Sequence, residues 1–128
     1  MPKQTLQWLD AQLTIHSLPP EQSIPSQVLH SELFFIGKTA DEVSIVCLSE
    51  LDIVSEEAEP GWQALEVLGP LGFSLTGILS NISGVLANAN ISIFAVSTFE
   101  TDYIMVKALH INEAIKALRQ NGYKVLTE

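Results

Sequence analysis

Apolar residues recur along this chain at two spacings, and the changes between them mark out its elements. From Thr76 to Asn90, Ile78, Leu79, Ile82, Val85, Leu86 and Ala89 fall three and four apart, with Ser80, Asn81, Ser83 and Asn88 on the opposite side. That spacing predicts an amphipathic helix. Trp62 to Leu68 mixes Trp, Leu and Val with single polar residues, as a strand does, before Gly69-Pro70-Leu71-Gly72 breaks the run. Asn90 can adopt the left-handed conformation that ends a helix, and Ile91 to Thr98 follows as a β-branched, apolar-rich strand. Glu100-Thr101-Asp102 supplies a turn, Tyr103 to Ala108 another strand, and Asn112 with Glu113 resembles a helix start. Ala114, Ile115, Ala117 and Leu118 form the apolar stripe of this second helix, with Lys116 and Arg119 toward its negative end. Gly122 then stops it before a last strand, Tyr123 to Leu126. The order β-α-β-β-α-β predicts an α+β, ferredoxin-like unit with two helices on one face of an antiparallel four-stranded sheet.

The other face also reads as apolar. In Ile91 to Thr98 one side presents Ile91, Ile93 and Ala95 and the other Ser92, Phe94 and Val96. A helix-free face of that kind needs a cover, either the first half of the chain or a second subunit. That first half reads as an abbreviated copy. Ala11 to Ser17 alternates, Glu32 to Lys38 and Glu42 to Leu48 form a hairpin about Thr39-Ala40-Asp41, and Pro19, Pro20 and Pro25 leave room for no more than a turn or two of helix. The acidic Ser55-Glu56-Glu57-Ala58-Glu59-Pro60 reads as a solvated linker, which divides the chain into residues 1–60 and 61–128.

Charge narrows the choice of partner. Six Lys and Arg against 15 Asp and Glu give 128 residues a net charge of −9, so a phosphate backbone is repelled and nucleic acid is an unsuitable partner. The single cysteine, Cys47, sits in the run Val43 to Leu48 and reads as a small buried hydrophobe, not a nucleophile. With no early basic-then-apolar stretch and no apolar run near ~20 residues, a cytoplasmic, membrane-independent protein is expected. His16, His30 and His110 have no second ligand at zinc spacing, and Gly69-Pro70-Leu71-Gly72 has a proline where a phosphate loop needs an amide and no following lysine. No cofactor, metal or catalytic group is expected.

Two stretches carry a family resemblance. They are Leu68-Gly69-Pro70-Leu71-Gly72-Phe73-Ser74-Leu75-Thr76-Gly77-Ile78-Leu79 and Ile91-Ser92-Ile93-Phe94-Ala95-Val96-Ser97-Thr98-Phe99-Glu100-Thr101-Asp102-Tyr103-Ile104-Met105-Val106. A glycine-bearing loop into a helix, an "I-S-I-F" strand and "S-T-F-x-T-D-Y-I-x-V" together resemble the ACT domain, as in small tandem-ACT bacterial proteins, aspartate kinase regulatory tails and the cytosolic arginine sensor. The resemblance covers Trp62 to the end, with the first half as a shortened ACT-like unit. It implies a non-enzymatic regulator that binds an amino acid between paired ACT units and presents the result to a protein partner, with a homodimer favoured.

The residues allow such chemistry. An amino acid needs donors for its carboxylate, an acceptor for its ammonium and a shaped pocket. The loop Phe73-Ser74-Leu75-Thr76-Gly77 runs into a helix whose free amides suit a carboxylate, Gly77 permits close approach, and Ser74 and Thr76 either cap the helix or touch the ligand. By the resemblance, Ser97, Thr98, Phe99 and Asp102 face the ligand, and Asp102 suits an ammonium or guanidinium. Alternatively, Asp102 only forms the turn. The competing reading of the whole chain is a structural oligomerisation module without a ligand.

Overall fold

The computed structural model of the chain describes residues 3–69 and 77–128. Its strands are β1 (Thr5–Leu18), β2 (Phe34–Lys38), β3 (Val43–Leu48), β4 (Glu57–Gly69), β5 (Ile93–Ser97), β6 (Asp102–Lys107) and β7 (Lys124–Leu126), and its helices α1 (Ser26–Leu29), α2 (Ile78–Asn88) and α3 (Ile111–Gln120). Two compact units emerge, a smaller one of Ala11–Trp62 and a larger one combining Met1–Asp10 with Gln63–Glu128. The first ten residues thus group with the second half of the sequence. The acidic segment read as a linker departs from expectation more sharply, because Glu57 to Pro60 begin β4. Their exposed, charged side chains give no apolar signal, whereas strand formation uses only the backbone.

In the larger unit the strands run in the order β7-β1-β4-β6-β5. β5 and β6 are antiparallel, with Ile93 opposite Val106 and Ser97 opposite Asp102. The start of β1 joins this sheet, pairing in parallel with β7 through Thr5–Lys124, Leu6–Val125 and Gln7–Leu126. Trp8 Nε1 donates to Gln63 Oε1 at 3.3 Å, side by side on β1 and β4. The four expected strands therefore become five, since Leu6 and Trp8 supply an alternation that opens β1 ahead of Ala11.

Helices α2 and α3 cover one face. Ile111, Ala114, Ile115 and Leu118 keep the i, i+3, i+4, i+7 spacing, and with Ile82 and Leu86 of α2 they pack on Leu6, Leu65, Val67, Ile104, Val106 and Val125 in one core. Both helices end by one device. Asn90 (φ 61°) and Gly122 (φ 92°) turn left-handed, which lets Ile91 N–H reach Leu86 O at 2.9 Å and Tyr123 N–H reach Leu118 O at 3.0 Å. On the opposite face, Ala64 and Met105 are fully buried while Phe94, Val96 and Tyr103 are half-buried.

The smaller unit is a hairpin, β2 and β3, set against the later part of β1. Leu18, Val43, Ile45 and Cys47 share a face with Phe34 and Ile36 and enclose Val28 of the one-turn α1. Two buried polar residues lie on the same face of β1. Thr14 and Ser49 share a hydroxyl–hydroxyl bond of 2.7 Å, and His16 Nδ1 bonds Ser55 Oγ at 2.9 Å. His16 Nε2 is buried with no partner among the described residues. Burial lowers the pKa of His16, since the charged ring is poorly solvated there. The unfolded chain then binds a proton at a pH where the folded chain does not, so this residue's contribution to stability is lost as pH falls below about 6.5. Denaturant melts at successively lower pH should record the decline, and His16→Gln should flatten that part of the profile. An unchanged profile would mean that His16 titrates normally.

Candidate functional site

The candidate site is built on the β5–β6 hairpin of the larger unit. Ser97 ends β5 and Asp102 begins β6, directly across from one another, and Ser97 Oγ donates to Asp102 Oδ1 at 2.5 Å. Between them Thr98 locks the turn, its N–H donating to Thr101 O at 2.8 Å while its Oγ1 accepts from Thr101 N–H at 3.2 Å. Thr101 Oγ1 in turn donates to Val67 O on β4. This bond holds the hairpin tip beside the last residues of β4, two positions before Gly69. Phe99, at the apex, is 84 % exposed.

Alternation along the strands sets Ser97 and Asp102 on the face that carries α2 and α3, because Ile104 and Val106 of β6 pack against those helices. Gly77 opens α2 in a left-handed conformation (φ 77°) with no side-chain cap. A side chain there would be strained, as expected of a glycine at a sharp entry into a helix. Phe73, Ser74, Leu75 and Thr76 lie outside the described residues. Of the nine residues singled out in the sequence, Ser97, Thr98, Phe99 and Asp102 form one turn, and Gly77 belongs to the same unit.

The chemistry at this end of the sheet is anionic. Asp102 receives one hydroxyl donor, and its second oxygen has no donor among the described residues, leaving it able to take a charge-assisted bond from an ammonium or guanidinium. On the opposite face Tyr103 OH lies 3.5 Å from Glu66 Oε2. Burial, and then the Glu66 carboxylate, push the Tyr103 phenol above its ordinary range, so it stays a neutral donor at physiological pH. Sequence reading overlooked Thr101 and the Tyr103–Glu66 pair, both of which depend on long-range neighbours. Among the described residues no three His, Cys, Asp or Glu side chains cluster as metal ligands, and no helix is long and apolar enough to cross a membrane.

Residues 57–120 match the model of the ACT domain. The human protein named cytosolic arginine sensor for mTORC1 subunit 1 is 31 % identical over 125 residues, covering 89 % of this chain and 38 % of the sensor. The chain thus spans well under half the length of that relative. A crystal structure of a protein from Agobacterium tumefaciens shares 30 % identity at a TM-score of 0.89, covering 100 % of this chain and 96 % of that one. The ligand-free regulatory subunit of aspartate kinase from Thermus thermophilus gives a TM-score of 0.58 at 16 % identity, over 90 % of this chain and 93 % of that subunit, a likeness of fold alone.

Proposed function

This chain belongs to the ACT domain family, and on that premise we propose that it is a non-enzymatic regulatory module that binds a free amino acid at the β5–β6 turn and the loop opening α2. The observation that carries the reading is the Thr101–Val67 bond, which ties the turn to the end of β4 from which residues 70–76 depart. Ser97 and Asp102 lie on the side of the sheet that α2 covers, so a ligand ammonium bonded to Asp102 can direct its carboxylate toward the start of that helix. In this reading Phe73, Ser74, Leu75, Thr76 and Gly77 receive the carboxylate end, and Ser97, Thr98, Phe99 and Asp102 the ammonium end. The human relative is by name an arginine sensor, which makes arginine one member of the panel to test.

The reading extends to a homodimer in the cytoplasm, with residues 1–60 as an abbreviated ACT-like half and 61–128 as the ACT domain. A thermal-melt screen against the free amino acids tests the ligand. One of them, at ~100 times its dissociation constant, should add about 2.7 kcal/mol to the folded state. Asp102→Asn should diminish that shift and leave the unliganded melt nearly unchanged, because the amide keeps the shape of the carboxylate and its oxygen can still accept from Ser97. Equal loss of basal stability would make Asp102 a turn former, and a panel without any shift would favour the structural oligomerisation module. The 84 % exposure of Phe99 is the feature that suits that second reading. Solution mass decides the dimer.

A further inference from the structure

The basic side chains of this acidic protein are unevenly distributed. The smaller unit holds nine carboxylates and one lysine, Lys38, whereas the larger holds five of the six Lys and Arg residues against six carboxylates. Two of those five line a surface groove of about 430 Å³ beside α3, formed by Asn112, Ile115, Lys116, Arg119, Gln120 and Thr127. Among the described residues no carboxylate lines it. Residues 116 and 119, three apart on a helix, are neighbours on its surface. The nearby acid of the helix, Glu113, lies 3.8 Å from His110. Lys116 has no ion pair or hydrogen bond among the described residues. Arg119 spends one N–H on Val125 O at 2.7 Å, a bond that orients the guanidinium, and its other donors have no partner among the described residues.

Lys116 and Arg119 are adjacent cations on one helix face, neither with a carboxylate partner among the described residues, and they share one groove. Asn112, Gln120 and Thr127 add neutral donors and acceptors, and the buried Ile115 provides an apolar floor. We propose that this groove docks an extended acidic segment of a partner protein, whose carboxylates meet Lys116 and Arg119 while its backbone meets the amides and the hydroxyl. Arg119 takes a carboxylate through two parallel N–H donors, and Lys116 acts as a point charge one turn earlier. The nearly balanced charge of the larger unit lets an acidic segment approach this groove. Two cations in a chain of net charge −9 fall short of what a phosphate backbone requires. The inference stands on the groove alone and does not depend on amino-acid binding at the hairpin.

Fluorescence anisotropy of the full chain with a fluorescein-labelled decapeptide of alternating Glu and Ser tests it, beside the matching Gln-Ser peptide. The acidic peptide should bind at low salt and weaken steeply by ~0.2 M sodium chloride, and the Gln-Ser peptide should not bind. Lys116→Gln with Arg119→Gln should weaken binding at least about tenfold, while Lys38→Gln leaves it unchanged. Because Arg119 also holds β7, Lys116→Glu alone serves as the variant that keeps the Val125 bond, and it should weaken binding severalfold with an unaltered melt. Absence of binding at low salt, or binding indifferent to both variants, would overturn the proposal. Competition by free succinate at the peptide's own affinity would do so too, marking a small-anion site, and preference for a labelled single-stranded oligonucleotide would replace the acidic segment with nucleic acid.

Discussion

Leu86→Ala should cost about 2–5 kcal/mol of unfolding free energy. Leu86 is fully buried on α2, one turn after the equally buried Ile82, and both pack in the core of the larger unit. An 11-residue helix is too short to persist in water by its own hydrogen bonds, so the packed face determines whether it forms. Truncation removes three carbons from that face and leaves a cavity that the neighbouring strands cannot fill by small shifts. Urea denaturation should therefore show a lower midpoint at nearly unchanged slope. Asn88→Ala, on the exposed side of the same helix, should stay within about 0.5 kcal/mol. A loss below about 1 kcal/mol at Leu86 would mean that α2 is not held by this face.

Ile45→Ala should be comparably costly, about 2–5 kcal/mol, and should also change a pH dependence. Ile45 is fully buried on β3, paired with His16 of β1 on one side and Ile36 of β2 on the other, and facing residues in such pairs touch. Removing its side chain opens space beside His16, whose Nε2 is buried without a partner among the described residues. Water entering there would hydrate the charged ring and return its pKa toward the ordinary value. The mutant should consequently be less stable at neutral pH yet lose less further stability on acidification than the parent. Denaturant titrations of both proteins at pH 7.5 and 5.5 measure the two effects together, and parallel profiles would sever the link between Ile45 and His16.

The helices and their ends were legible because each rests on local signals. The stripe Ile111, Ala114, Ile115, Leu118 and the left-handed residues Asn90 and Gly122 lie in the sequence as they act in the fold. The β2–β3 hairpin about Thr39–Asp41 was legible for the same reason, with Lys38 opposite Val43. What escaped was long-range. Nothing local in Glu57 to Pro60 reveals that these exposed residues begin a strand, and nothing near Leu6 reveals a partner at Val125. The turn of the candidate site was likewise readable from Ser97, Thr98 and Asp102, but the hydroxyl of Thr101 reaches a carbonyl 34 positions away. Lys116 and Arg119 were visible only as charges favourable to a helix end. Their shared groove needs Thr127, which tertiary structure brings beside them.

The parallel pairing of β1 with β7 bears on how the larger unit folds. Gln7 reaches Leu126 across 119 positions of sequence, so one of the sheet's contacts closes a loop nearly as long as the chain. Closure on that scale is slow relative to hairpin formation, and the opening strand leaves the ribosome long before its mate is synthesised. The β5–β6 hairpin and the two helices can organise from near neighbours, and β1 can pair with β3 and β4. The contact between the start of β1 and β7 can close only after the last strand is made. Until then the apolar side chains of Leu6 and Val125 stay open to other molecules, a window in which a chaperone or a second nascent chain can compete.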